Sequence, residues 1–600
     1  MRRGIALSAT MAALASWVPA SAQEPQEPVA RVPGDRALRL DPTQRQRLAL
    51  WDPAADDWES EVFHGAAKKR FTELKALLTD AASPSKEALA PLLADGFVTE
   101  ALVPAALELR FDDGNFRVHS AAASEDPGSA WSGEGAAGLA EALATVHARF
   151  GDSGPRRVKL KIDGLQIDGD RVRSRARFLA EGPSPDGLRL MRARWICSWQ
   201  RRDDGPPLLL ALRAEDWSET LLSGRAEPLF RDVTLSAFAD PDTVTAQLGP
   251  GLDHWLGRLP AGIGFSDRSH QGIAVADVDG DGREDLFLPQ PAGLPNRLYL
   301  RRADGLLEDA TAAAGLDILE GTRAALFLDL DNDGDQDLVV SARAELLFLE
   351  NDGEARFRVR LSGEAAETTM LAAADYDGDG LLDVYACRYL NPYDGQAIPT
   401  PYHDADNGLD NALLRNLGGF RFRDVTEEVG MGVNNGRFSF AAAWEDYDDD
   451  GDQDLYVAND FGRNNLYRND DGSFVDVARE AGVEDVAASM GVTWADYDGD
   501  GLMDLYVSNM DSGAGKRIAF QERFQSEAGT ELLQELQRHA RGNSLFRNRG
   551  DGSFEDVSEA AHVTEGLWAW GAVFTDFGND GWPDLFVPNG FLTNRRDDDL

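Results

Sequence analysis

The chain has 600 residues, with 59 Lys+Arg against 104 Asp+Glu, a formal net charge of −45. A polyanion of this size repels nucleic-acid phosphates and suits an anionic membrane surface poorly, so DNA and RNA are excluded as partners. Hydrophobic residues at 43% can fill a core, and the two distant cysteines, Cys197 and Cys387, with no CxxC neighbour, exclude a disulfide framework or a thiolate zinc site.

Residues 1–22 begin with Arg2 and Arg3, run apolar from Ile5 to Val18, and end in Ala20-Ser21-Ala22, a small-x-small cleavage pattern. This predicts a secretory signal peptide cut near Ala22 and an exported product, secreted or periplasmic. No later segment approaches 18 consecutive apolar residues, so no membrane-spanning helix is expected and the mature protein is not an integral membrane protein. Residues 23–50 are Pro- and charge-rich and read as a linker.

Residues 51–224 form the first folded region. The apolar positions of 58–79 predict a helix, Ser83-Pro84 starts a second with Ser83 as N-cap, and 136–150 give a third. Strands are predicted over 105–111, 157–166, 171–180, 188–199 and 207–213; several alternate polar and apolar residues, as antiparallel strands with one buried face do. Helices followed by a long antiparallel run give an α+β unit. With its closing Trp195-Ile-Cys-Ser-Trp199 strand, this order resembles the cone-shaped SnoaL-like and nuclear-transport-factor-2-like proteins, a superfamily of both enzymes and binding modules. His64, His119, His147 and Asp163 are its candidate pocket polar groups, although no spacing links them to a reaction.

Residues 225–600 carry six copies of one loop, D-x-D-x-D-G-x-x-D. Its carboxylates are Asp277, Asp279, Asp281 and Asp285; Asp329, Asp331, Asp333 and Asp337; Asp375, Asp377, Asp379 and Asp383. The later copies supply Asp446, Asp448, Asp450 and Asp454; Asp496, Asp498, Asp500 and Asp504; and Asp576, Asp580 and Asp584, with Gly578 at the third position of the last. The starts are 52, 46, 71, 50 and 80 residues apart, a period near one propeller blade with insertions in the third and fifth intervals. Each unit offers four short strands. Phe230-Arg-Asp-Val-Thr234 matches a last strand but precedes the first loop, so it is expected to complete the final blade and close a ring of six or seven blades.

Four carboxylates converging on one point repel without a cation, the Gly at position 6 makes the tight turn, and an all-oxygen cage suits calcium. Several structural Ca²⁺ sites are therefore expected. An EF-hand is excluded, because position 12 is Leu288, Val340, Ala386, Val457, Val507 and Val587, none of which can ligate through its side chain. The sixth loop lacks one ligand, so either water takes its place or the site binds weakly.

The loops, with the strings N-x-L-Y-R-N, D-G-S-F-x-D-V and D-Y-D-G-D-G-x-x-D-L-Y-V of residues 464–477 and 496–507, resemble the FG-GAP/VCBS repeat proteins, whose calcium-loop propellers also occur in integrin α-subunits. The similarity points to the bacterial branch related to cartilage acidic protein and ASPIC/UnbV proteins, with the C-terminal ASPIC/UnbV module absent after Asp597-Asp-Asp-Leu600. The resemblance implies a mainly β fold and a general role in adhesion or ligand binding.

The insertions are the candidate ligand loops. The third interval gathers Tyr402, His403, Asp404 and Asn407, able to stack on and hydrogen-bond a sugar. The fifth, Lys516 to Arg541, predicts a helical pair with Lys516, Arg517, Arg538, His539 and Arg541 as a basic cluster that can attract an anionic ligand; both insertions can equally cover a propeller face or dock the first region. The expected function is a secreted, calcium-stabilised module for a glycan or protein ligand. The alternative is a polysaccharide lyase or hydrolase, for which His403, or His539 with Arg541, are the only candidates; no G-x-S-x-G or H-E-x-x-H motif accompanies them.

Overall fold

Helix α1, Glu59–Leu78, buries Phe63, Ala67, Phe71, Leu74 and Leu78, a stripe at three- and four-residue spacing, with Glu59 and Glu61 in its first turn and Lys75 in its last, as the helix dipole favours. It opens the described part of the computed structural model, residues 58–589 without 81, 123–130, 152–153, 203–204, 225–229, 251–253, 256, 260–271, 343, 365–366, 392–397, 522 and 526–528. The expected signal peptide and linker lie outside the described residues. The expected second helix is a single turn, Lys86–Leu89, capped by Ser85 rather than Ser83, whose hydroxyl accepts from the Ala88 N–H. Helix α2 spans Gly135–Ala148.

These helices cover an eight-stranded sheet: β1 Leu93–Thr99, β2 Leu107–Asp112, β3 Phe116–Ala121, β4 Gly133–Glu134, β5 Arg157–Asp168, β6 Arg171–Ser184, β7 Gly187–Gln200 and β8 Leu208–Ser223. The order is β2-β3-β8-β7-β6-β5, with β1 parallel to β8 and antiparallel to β4. The strict alternation of β6, with Val172, Ser174, Ala176 and Phe178 buried between arginines, sets one face to the core. There Phe178 stacks on Trp195 at 4.4 Å and Phe63 and Phe71 close on Trp199. The last strand runs ten residues beyond its predicted end, through Trp217, which is buried, to Ser223.

From Ala274 onward the chain is mainly β, five four-stranded antiparallel sheets followed by a two-stranded one. In each of the six, an acidic loop joins the first strand to the second: Ala274–Ala276 to Asp285–Leu288, Thr322–Leu328 to Asp337–Ala342, Thr368–Ala374 to Asp383–Arg388, Phe438–Glu445 to Asp454–Phe461, Ser489–Ala495 to Asp504–Asn509 and Val573–Thr575 to Asp584–Phe586. The register is the same throughout, because the residue before each loop pairs with its ninth, as Ala276 does with Asp285, Glu445 with Asp454 and Thr575 with Asp584.

Successive sheets stack face to face with an apolar cluster in each gap. Phe287 and Leu298 meet Leu338 and Leu349; Tyr456 and Leu466 meet Leu505 and Phe546; Tyr506 and Leu545 meet Leu585. The inner sheets thus bury both faces, which is why their second strands carry continuous apolar runs such as Leu505-Tyr-Val507.

The expected closing strand is corrected. Residues 230–233 pair with no strand, Thr234–Ala237 is a helical turn, and Phe238 bridges in parallel to Leu307 of the first sheet while its ring meets Tyr299 at 4.7 Å. Phe230 meets the last loop through its ring, 5.5 Å from that of Phe577. Among the described residues no strand joins the sixth sheet to the first.

The fifth-interval insertion forms two helices, α3 Gly513–Ala519 and α4 Thr530–His539. Helix α3 docks on the N-terminal sheet. Arg517 donates to Glu61 at 3.0 and 2.6 Å and to the Ile162 carbonyl at 2.9 Å. Arg177 of β6 pairs with the fully buried Asp511 at 2.7 Å, and Lys516 pairs with the same carboxylate at 3.0 Å. Arg523 lies over Trp58, 4.4 Å from the ring centre.

Candidate metal centres

Backbone N–H groups place the loop carboxylates before any ion is considered. The first Asp of each loop accepts from positions 5 and 6: Asp277 from Asp281 (3.0 Å) and Gly282 (2.7 Å), Asp446 from Asp450 (3.0 Å) and Gly451 (2.9 Å). That turn puts the position-6 residue at positive φ, +83° at Gly282 and +96° at Gly451, which is why glycine stands there. The ninth Asp is fixed from both sides. Asp337 accepts from Leu330 N–H (3.0 Å) and Asn351 N–H (2.8 Å), and Asp454 from Tyr447 N–H (3.2 Å) and Asn469 N–H (2.7 Å).

The result is five groups in which one oxygen from each carboxylate lies within 4.8 Å of the others: Asp277, Asp279 and Asp285; Asp329, Asp331 and Asp333; Asp375, Asp377 and Asp383; Asp446, Asp448 and Asp454; Asp496, Asp498 and Asp500. The sixth loop, with Gly578 in place of the second ligand, is not among them.

These residues fit a cation by a test internal to the structure. Asp331, Asp377, Asp448 and Asp498, the third position of four different loops, each hold a buried Oδ1 with no hydrogen-bond partner. A buried carboxylate oxygen left unsatisfied is costly, and one such atom recurring at one position marks a ligand that the protein itself does not provide. The ninth carboxyls of Asp337, Asp383, Asp454 and Asp504 are pushed up to about 7, first by burial and further by neighbouring aspartates, against opposing N–H bonds. Asp279, Asp331, Asp377, Asp448 and Asp498 are raised by the same causes, burial first. Oxygen-only donors on a tight loop can hold a hard metal ion and are consistent with calcium.

The N-x-L-Y-R-N string proves to be a double staple between sheets, a role that sequence reading missed. Its last Asn reaches back to the preceding acidic loop. Asn351 donates to the Val278 carbonyl, Asn416 to Leu330, Asn469 to Tyr376 and Asn548 to Tyr447, each at 2.8 Å. The same amide also donates to the position-8 carbonyl of its own loop, as Asn469 does to Gln453 at 3.1 Å. Its first Asn reaches forward, Asn296 to Thr322, Asn411 to Ser439 and Asn464 to Ser489 at 2.8–2.9 Å. The recurrence of Asn at both ends was the available signal. The partner lies one repeat away and shares no local pattern with it.

The expected ligand loop is fastened from within. Asp404 pairs with Arg437 (2.8 Å) and Arg463 (3.2 Å), and Asn407 bonds the Thr400 N–H and the Ile398 carbonyl. His403 lies 3.9 Å from Glu535, and the exposed Tyr402 sets its ring against Phe461 and His539. Residues 392–397 of the same insertion lie outside the described residues.

The basic cluster is also corrected. Lys516 and Arg517 serve the docking contacts above, Arg538 pairs with Asp485 (2.9 Å) and Asp556, and Arg541 with Asp556 (2.9 Å), so these charges are neutralised internally rather than offered to an anion. Burial lowers His539 to about 4. The four N-terminal polar candidates do not converge: His64 stands by Glu61, His119 by Glu219, His147 by the Asp80 carbonyl, and Asp163 by Arg175 and Arg177. No helix among the described residues is long and apolar enough to cross a membrane.

These features define an array of FG-GAP-like repeats: residues 277–340, 329–386, 446–507 and 536–587 match that repeat, and together the matches take in all six acidic loops. The chain is similar to cartilage acidic protein 1 of Xenopus tropicalis, 28% identical over 159 residues, which are 25% of this chain and 24% of that protein. The chain thus spans about a quarter of the length of the curated relative it matches. Among solved structures, a lectin of Agrocybe aegerita described for recognition of non-reducing terminal N-acetylglucosamine covers 66% of this chain and 78% of its own at 12% identity, TM-score 0.29. A SnoaL-like polyketide cyclase of Jannaschia sp. CCS1 covers 26% and 86% at 12% identity, TM-score 0.16. At such scores neither likeness defines a fold or a function here.

Proposed function

We propose that this chain is an exported, calcium-stabilised propeller-like module that binds a glycan or protein ligand. The observation that carries the metal reading is the unpartnered, buried Oδ1 found at the same position of four loops, inside carboxylate groups that share one register. Ca²⁺ is held by the loop aspartates, five sites strongly formed and the sixth depleted by Gly578. Each ion draws together the turn whose position-2 carbonyl receives the next sheet's Asn, so metal binding stiffens the joints between sheets. The face-to-face stacking supports a ring, and the FG-GAP-like repeats support a binding role. The N-terminal segment directs export, with cleavage near Ala22. The first region is of the SnoaL-like type, and the sequence strings favour the bacterial branch related to ASPIC/UnbV proteins.

Removing bound metal with EGTA lowers Tm by many degrees, and 1 mM CaCl₂ restores it; millimolar supply is ample for extracellular-type sites with Kd of about 10⁻⁴–10⁻³ M. An unchanged melt defeats the reading. Retention of the chain by immobilised glycans or proteins without turnover supports the binding role, whereas polysaccharide cleavage contradicts it.

A further inference from the structure

We propose that Arg415 is a built-in counter-cation that makes the third loop the weakest of the five well-formed calcium sites. This inference rests on the calcium reading above. The third strands of sheets three, four and five carry an arginine at one position, Arg415, Arg468 and Arg547, next to the Asn that staples the sheets. In sheet four Arg468 is held by both oxygens of Asp470, at 3.0 Å each, and in sheet five Arg547 is held by Glu555 at 2.6 Å.

Sheet three offers neither acid. Leu417 stands where Asp470 does, and Arg423 where Glu555 does. Left without those partners, Arg415 turns onto the acidic loop, its Nη2 2.6 Å from Asp377 and 3.1 Å from Asp379, while its Nε bonds nothing. It is the one arginine among the described residues that bridges positions 3 and 5 of a loop; Arg283 in the first loop touches Asp281 alone of its carboxylates.

A fixed positive charge at hydrogen-bond distance from two carboxylates of the cage repels an incoming divalent ion and occupies one oxygen of each ligand. It also part-neutralises the cage when calcium is scarce. The joint served by this loop, Asn469 on the Tyr376 carbonyl, therefore persists at calcium levels that empty the neighbouring loops. The array responds to calcium in steps, with the third loop filling last of the five well-formed sites.

The test is a calorimetric titration of CaCl₂ into metal-stripped full-length chain, wild type beside Arg415→Gln, Leu417→Asp and Arg468→Gln. Leu417→Asp gives Arg415 the acid that its counterpart in sheet four has, and keeps the guanidinium where Arg415→Gln removes it. One site tightens at least tenfold in both sheet-three variants, that site is lost on adding Asp377→Asn, and Arg468→Gln leaves the profile as in wild type. Affinities within twofold of wild type in both sheet-three variants, or a site weakened in them, overturn the proposal while leaving the calcium reading intact. A wild-type chain that takes up no calcium overturns both.

Discussion

Asn543 shows what one missing hydroxyl does in this array. It is the first Asn of the fifth staple, its Nδ2 is buried without a partner, and the position occupied by Thr322, Ser439 or Ser489 in other sheets is Ala569. Restoring the acceptor by Ala569→Ser should stabilise the chain by about 1 kcal/mol, read as a raised denaturation midpoint. A midpoint unchanged or lowered contradicts the staple account.

The ninth aspartates make a second prediction at this scale. The folded-state values of Asp337, Asp383, Asp454 and Asp504, about 7, lie above the ordinary carboxyl value, so these four carboxyls bind more protons in the metal-free folded chain than in the unfolded one between about pH 4 and 7. The stability they contribute is whole below that window and is lost as pH rises through 7. The Tm of metal-stripped protein should fall from pH 5 to pH 7.5, and saturating calcium should remove most of that slope. A stripped protein whose Tm rises over this range contradicts the assignment.

At the scale of the element, the loop and its two flanking strands were legible in the sequence, because every constraint on them is local. Asp277-Val-Asp-Gly-Asp-Gly names its own turn, and the apolar run after Asp504 names a strand buried on both faces. Phe230-Arg-Asp-Val-Thr234 looked like a fourth strand by the same local rule, but strand pairing needs a partner edge, and that segment turns into a helical step toward Leu307 instead. The fifth-interval insertion was legible as a helical pair, with docking on the first region as one of its readings, but the contact itself was not, since nothing within Lys516–Arg541 announces that Arg517 meets Glu61. The staples are the clearest case of a contact invisible in one repeat. Asn469→Ala removes bonds to both Tyr376 and Gln453 and leaves two carbonyls to find other donors. It should cost about 1–3 kcal/mol, measured by urea denaturation in calcium; a loss below about 0.5 kcal/mol makes the staple incidental.

Over the whole molecule, charge explains how two unlike regions are joined. The chain carries −45, yet the N-terminal sheet presents Arg171, Arg173, Arg175 and Arg177 along one strand, and part of this face meets the buried Asp511. Helix α3 completes the joint through Arg517. Arg517→Ala leaves Glu61 without its bidentate partner at the interface and should weaken docking by about 3–5 kcal/mol, seen in calorimetry as a separate, earlier transition of the N-terminal region. A single transition at the wild-type temperature shows that the two regions are held by other contacts. Of the 104 acidic residues, 23 stand at the ligand positions of the six acidic loops, where they can be paired with metal.

The most direct measurement is the anomalous calcium signal in crystals grown with 1 mM CaCl₂. Five peaks are predicted, one in each of the loops beginning at Asp277, Asp329, Asp375, Asp446 and Asp496, with carboxylate oxygens at about 2.3–2.6 Å and little or no signal at Asp576. Loops ordered as described here but free of any peak contradict the account.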